Sequence, residues 1–205
     1  MNRKEQAILT KKKLFETSVK LIKEKGFDNI SVNEICTKAN VAKGTFYVHY
    51  KAKEDIIKEI YYLDMNNYIT EKYHSYLEEN PTLPLIEKLL FFLSLELEFA
   101  NYVGLELTSL AFGINLSQCS KGNSDHFSRR KFTAILKDLI HQGIQQNIFL
   151  STMTEDEIFL YLETMIRGLM ASWCFSNNSF NIETAGKKFI QTQLSSIINN
   201  KVTLI

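Results

Sequence analysis

The chain has 205 residues, with 24 Lys and Arg against 23 Asp and Glu, a formal net charge of +1 and 45 % hydrophobic residues. That is enough for a helical core, in one large domain or in a small one beside a larger one. Cys36, Cys119 and Cys174 are odd in number and far apart, which argues against a disulfide framework and for a reducing compartment. No C-x-x-C pair or His/Cys cluster suggests a metal, and His49, His74, His126 and His141 are dispersed.

The first residues have no apolar stretch of the secretory kind. The most apolar run, 89–95, is flanked by Glu87, Lys88, Glu96 and Glu98 and is too short to span a bilayer. A cytoplasmic chain is therefore expected. The small net charge hides an asymmetry: residues 1–53 carry 12 Lys/Arg and 5 Asp/Glu, a net +7, and the remainder is net −6. A basic segment on an acidic body suits a polyanionic partner for that segment, although a solvated basic helix has the same composition.

Residues 1–10 are polar and expected to fray. A helix is predicted over about 4–25, where Leu14, Phe15, Ser18, Leu21 and Ile22 form one stripe behind Lys11, Lys12 and Lys13. Gly26 is a helix stop, and Phe27 and Ile30 can pack back on the stripe. Ser31 with Glu34 three residues on has the spacing of a capping box, opening a second helix whose Ile35 and Ala39 share a face. Asn40 suits the left-handed residue that ends it. A third helix begins near Ala42, so two helices are joined by about four residues, the spacing of a helix-turn-helix. In the third, Phe46 and Tyr50 can face inward. Lys43, Thr45, Tyr47 and His49 then keep donors for phosphate oxygens and base edges. An ordinary amphipathic helix with a solvated face would look the same.

The run V-A-K-G-T-F-Y-V-H-Y-K-A-K-E-D-I, extended upstream by residues 14–26, resembles the DNA-binding domain of the tetracycline-repressor (TetR/AcrR) family of bacterial regulators. The resemblance implies that Lys43, Gly44 and Tyr47 lie nearest base edges and that Asn33 can also reach them. It implies phosphate contacts for Ser31, Thr45, His49 and Lys53. The chain departs from the family pattern at Asn40, where Gly is usual, and at Ala42, where Ser is common. Ala42 is a poor N-cap, by about 1 kcal/mol.

A fourth helix, over about 53–76, is expected as a connector between a DNA-binding domain at 1–53 and a body at 54–205. The segment 80–84 holds both prolines and is the clearest break. The body reads as all helical, with segments at 85–103, 105–117, 126–147, 155–175 and 182–200. Phe127, Phe132, Ile135, Leu136, Leu139 and Ile144 are expected inward in the 126–147 segment. Thr154 followed by three acids is a helix start. The 155–175 segment is apolar nearly all round, so it is buried on more than one side. It can be covered by the last helix within one chain. The resemblance implies instead that both pair with their mates in a symmetric four-helix interface, where Gly168, Ala171 and Ser172 permit close approach.

No catalytic motif is present: there is no G-x-S-x-G, no H-E-x-x-H and no phosphate-cradling glycine loop. Glu163 and Arg167 are an i, i+4 pair, either a salt bridge or a polar anchor for a ligand. The expectation is a non-enzymatic, all-α, homodimeric regulator without a cofactor. An N-terminal three-helix domain would bind a pseudo-palindromic operator in double-stranded DNA, and a C-terminal helical domain would bind ligand and dimerise. As a repressor it would be released by a small apolar effector bound near Phe92, Phe99, Tyr102, Phe112, Arg167 and Trp173. Gly113 and Ser172 would be positions where a larger side chain fills that pocket. The alternative is an accessory regulator controlled by a protein partner.

Overall fold

The structure, a computed structural model, describes residues 2–59, 65–122 and 131–199. The fold is all-α, as the periodicities require; among the described residues the only extended pairing is one antiparallel bridge, Phe149 with Ile198. The chain divides into two compact units, Met1–Leu63 and Asp64–Ile205.

The first unit holds α1 (Arg3–Lys25), α2 (Val32–Ala39), α3 (Lys43–His49) and α4 (Glu54–Glu59). Its first turn is not frayed. Asn2 caps α1 by accepting from the Glu5 N–H at 2.8 Å, while the Glu5 carboxylate accepts from the Asn2 N–H at 3.0 Å. The helix stops at Gly26, whose φ of 81° disfavours a side chain and whose N–H donates to the Ile22 carbonyl at 2.8 Å. Leu14, Leu21, Ile22, Phe27 and Ile30 are buried with Ile35, Phe46, Tyr50 and Ile56 in one small core. Ser18 is also fully buried, and its hydroxyl donates to the Leu14 carbonyl at 2.7 Å.

The helix expected over 53–76 crosses residues 60–64, which lie outside the described residues. On either side the chain is helical, as α4 and as α5 (Met65–Glu79). Asp55 sits inside α4 and reaches back to the amides of Lys51 and Ala52, at 2.9 and 3.2 Å. Burial alone would raise its carboxyl pKa, but Lys58 and those two amides hold it below the usual carboxylate range.

The second unit comprises α5, α6 (Leu85–Val103), α7 (Leu105–Cys119), α8 (Lys131–Gln145), α9 (Glu155–Phe175) and α10 (Ile182–Ser195). Central to it is α6, which packs on each of the other five helices. Phe92 stacks on Phe132 with ring centroids 4.6 Å apart and meets Tyr73 edge-on at 5.0 Å. Burial pushes the Tyr73 hydroxyl up to about 12, with Asp138 adding to it. Gly186 lets α10 settle on α6, because a side chain there would meet Leu97.

Residues 126–130 of the expected 126–147 helix, Phe127 among them, lie outside the described residues. Within α8 the expectation is corrected at Ile144, which is 38 % exposed rather than inward. Its stripe ends at Gly143, where the ring of Phe149 occupies the space a side chain would need. The last helix ends at Ser195, earlier than the pattern suggested; the Leu150 N–H then donates to the Ile197 carbonyl at 2.9 Å and the Asn199 N–H to the Ile148 carbonyl at 2.7 Å.

Length and composition would let α9 cross a membrane. In this fold it is a core helix: Ile158, Leu162, Ile166, Met170 and Trp173 are buried, and α6, α7, α8 and α10 pack against it. Its start is a full capping box, in which Thr154 and Glu157 exchange bonds.

Candidate nucleic-acid interface

The candidate interface is assembled from α2, α3 and the turns that hold them. Ser31 caps α2 by accepting from the Glu34 N–H at 3.1 Å. The reciprocal arm of the expected capping box is not made, because the Glu34 carboxylate accepts instead from Lys25 Nζ at 2.5 Å. That pair ties the end of α1 to the start of α2 and raises the Lys25 pKa, first through the hydrogen bond and then through the Glu34 charge. Asn40 ends α2 in the left-handed region, at φ 51° and ψ 53°. Ala42 is the N-cap of α3 and makes no side-chain cap bond.

The register of α3 is fixed by its core side. Phe46 is fully buried, lies 5.4 Å from the rings of both Tyr47 and Tyr50, and puts an aromatic anchor under the helix. Lys11 on α1 sits 5.7 Å from the Tyr50 ring, a cation–π contact that closes the unit. With Phe46 inward, Lys43, Gly44, Tyr47 and Val48 are exposed, and Thr45 and His49 are half-buried at the margin. Ser31 and Asn33 are exposed at the start of α2. Five proposed contacts, Ser31, Asn33, Lys43, Gly44 and Tyr47, therefore stand open to a partner. Burial raises the pKa of the Cys36 thiol beneath them, and the Lys43 charge opposes the rise.

Lys53 is placed differently. Its Nζ donates to the carbonyls of Phe27 and Ile30 at 2.7 and 3.0 Å and lies 4.1 Å from the centroid of the Phe27 ring. Two of its three donors are thus engaged within the protein. Sequence reasoning also passed over Val48, which is 79 % exposed. With Phe46 inward, the helix register turns it outward.

The six proposed ligand residues are spread over α6, α7 and α9, with the rings of Phe99 and Tyr102 6.3 Å apart. Phe92, Phe99 and Trp173 are buried in the second unit, with the Trp173 indole N–H donating to Asn178 Oδ1 at 3.1 Å. Phe112 is half-buried. Tyr102 is exposed and stacks on Tyr68 at 5.5 Å. Arg167 Nε donates to Glu163 Oε2 at 2.5 Å, so the salt bridge is made, while the other carboxylate oxygen is buried with no hydrogen-bond partner. Gly113 is exposed with open space around it, and Ser172 lies on the outer face of α9, so neither points into a core pocket. Among the described residues no three of His, Cys, Asp and Glu come together to hold a metal ion.

Residues 14–60 match the family described as bacterial regulatory proteins, tetR family, and residues 125–198 match the C-terminal region of the MAATS-type transcriptional repressors. The transcriptional regulator AcrR of Shigella flexneri is 24 % identical over 196 residues, covering 91 % of this chain and 88 % of that protein. An HTH-type regulator of Staphylococcus aureus is 34 % identical over 68 residues, and there the match covers 33 % of this chain and 37 % of the relative. For YuxN, an uncharacterised regulator of Bacillus subtilis, the matched part is 39 % of the relative's length. Among solved structures, a TetR regulator from Haloarcula marismortui superposes with a TM-score of 0.66 at 18 % identity, over 93 % of this chain and 98 % of that one. The regulator FadR from Bacillus subtilis, in complex with stearoyl-CoA, does so with a TM-score of 0.62 at 20 % identity, over 90 % and 98 %. With the N-terminal and C-terminal segments each matched and the fold shared along nearly its whole length, this chain belongs to the TetR/AcrR family of bacterial regulators.

Proposed function

We propose that the chain is a homodimeric repressor of transcription that binds a pseudo-palindromic operator through α3 and is released by a small, mostly apolar effector held in the second unit. It would act in the cytoplasm and catalyse no reaction. The observation that carries the DNA reading is the exposed face of α3, with Lys43, Gly44 and Tyr47 held outward by the buried Phe46. Lysine reads the O6 and N7 acceptors of guanine in the major groove, and the tyrosine hydroxyl suits an acceptor. Ser31, Thr45 and His49 flank that face and would fix its position on the phosphates, while Asn33 would also reach a base edge. Selecting duplexes from a random pool with the full chain tests this. Lys43→Ala should change base preference at one position per half-site by about 1–3 kcal/mol. A chain that enriches no duplex would refute the DNA reading.

Dimerisation is proposed through the outer face of α9 and α10. Leu160, Met165, Leu169 and Phe189 line a groove of about 590 Å³, with Leu160 62 % exposed and Gly168 and Ser172 open beside it. An exposed apolar surface of this kind marks an interface. Two-fold pairing matches recognition helices to half-sites about 34–36 Å apart. Leu160→Glu should yield monomers in sedimentation.

The effector reading rests on Glu163. A buried acceptor without a partner costs about 1–3 kcal/mol, and a donor on an otherwise apolar ligand would recover it. Phe92, Phe99, Tyr102, Phe112, Arg167 and Trp173 remain the proposed surroundings. The solved structure of FadR with stearoyl-CoA supports a ligand for a fold of this kind. Coupling of about 1–3 kcal/mol would lower operator affinity roughly 5- to 150-fold. Operator affinity measured with and without a ligand recovered from the purified protein decides between this reading and an accessory regulator controlled by a protein partner.

A further inference from the structure

Two features of α3 are not explained by the folding of the unit that carries it. Gly44 lies in the first turn of the helix, yet a side chain built there would meet nothing within 4 Å. Glycine in a helix costs about 0.5–1 kcal/mol relative to alanine. Neither packing nor a positive φ requires it at this position. One turn further on, Val48 is 79 % exposed. At about 100° per residue it stands about 200° round the axis from the buried Phe46, on the side away from the core. A β-branched apolar side chain in that position buries nothing within the protein.

Residues four apart in a helix are neighbours on its surface. Gly44 and Val48 therefore make a notch: a floor of bare backbone with an apolar wall at one end. Lys43 and Tyr47, also four apart, run along one side of it. In the major groove the one apolar group a base pair presents is the C5-methyl of thymine. We infer that Val48 is a specificity-determining residue whose methyl groups contact a thymine C5-methyl in each operator half-site, with Gly44 giving the clearance for that approach. The inference rests on the operator-binding reading above and adds to it a residue and a base.

The test is a double-mutant cycle across protein and DNA. Duplexes are first selected with the full-length wild-type chain, and each thymine of the half-site is then replaced singly by deoxyuridine, which removes only the methyl. Wild type should lose about fourfold in affinity per half-site at one thymine, the worth of one methyl-sized group removed from water. Val48→Ala should bind the thymine operator more weakly by a similar factor and be indifferent to deoxyuridine at that position. Val48→Thr, similar in shape with one methyl exchanged for a hydroxyl, should keep part of the discrimination. Because Val48 is exposed, both variants should melt like wild type. Equal deoxyuridine effects in wild type and Val48→Ala at every thymine, or a selected half-site without thymine, would overturn the assignment while leaving operator binding intact. If wild type selects no duplex, the operator reading itself fails, and this inference with it.

Discussion

Lys53→Met separates two roles for one side chain. The substitution keeps most of the aliphatic stem and removes the ammonium. Two bonds to carbonyls disappear, those to Phe27 at 2.7 Å and Ile30 at 3.0 Å, together with the contact over the Phe27 ring at 4.1 Å. Hydrogen bonds from a charged donor contribute about 1.5–3 kcal/mol each when well shielded. The lysine is half-buried, so solvent competes for part of that, and we expect a loss of about 2–3 kcal/mol. In a unit of 63 residues such a loss lowers the melting temperature by roughly 10–20 °C. The assay is thermal unfolding of the full chain, with amide exchange at 27–30 as a local readout. If Lys53 served chiefly to bind phosphate, the substitution would leave stability unaltered and flatten the salt dependence of DNA binding by about two per dimer. That pair of results would refute the structural role.

Three further outcomes follow from the same contacts. Ala42→Ser supplies the missing cap of α3, where the backbone is already extended at φ −69° and ψ 147°, and should raise stability by about 0.5–1 kcal/mol in denaturant unfolding. Gly143→Ala would press a methyl into the Phe149 ring and should destabilise the second unit by about 1–3 kcal/mol, read in the same way. For the Glu98 carboxyl, burial alone would raise the pKa, but Lys72 and the Tyr68 hydroxyl hold it below the usual range. A depressed folded-state value means that this stabilisation is complete above the unfolded carboxylate value of about 4.3 and is lost as pH falls through the folded value. Glu98→Gln should therefore cost below 1 kcal/mol at neutral pH, since the group is 31 % exposed, and nothing at the acid end. A pH series of unfolding curves with unchanged separation between the two proteins would contradict this.

What could be read from the sequence was set by local chemistry. Gly26 stops α1, Asn40 adopts the left-handed conformation, Ala42 is an uncapped start, and Phe46 with Tyr50 faces inward. Each follows from a residue and its immediate neighbours. The spacing at Ser31 suggested a full capping box, but Lys25, nine residues before Glu34 and on another helix, holds the carboxylate. A full box did form at Thr154, whose N–H and hydroxyl both donate to the Glu157 carboxylate. At Lys53 the charge was visible in the sequence, but its bonds to carbonyls 26 and 23 residues away were not. Ile144 was misjudged for a related reason: periodicity identifies a helical face but cannot say where the neighbouring helix ends.

The bridge between Phe149 and Ile198 has a consequence for how the chain is made. It joins the turn before α9 to the segment after α10, so both helices lie inside a loop that closes only when residue 198 arrives. Until then α9 has emerged with no mate for the side that α10 will cover, where the Tyr161 hydroxyl meets Gln193 and Ser196. Closing a loop of about 49 residues carries an entropic cost that rises only slowly with length, so the clasp is thermodynamically undemanding but late. During synthesis one face of α9 must therefore wait, uncovered, for one of the last segments described. The interval before the clasp closes is when a nascent second unit is most open to aggregation, and a chaperone that shields α9 would act in that window.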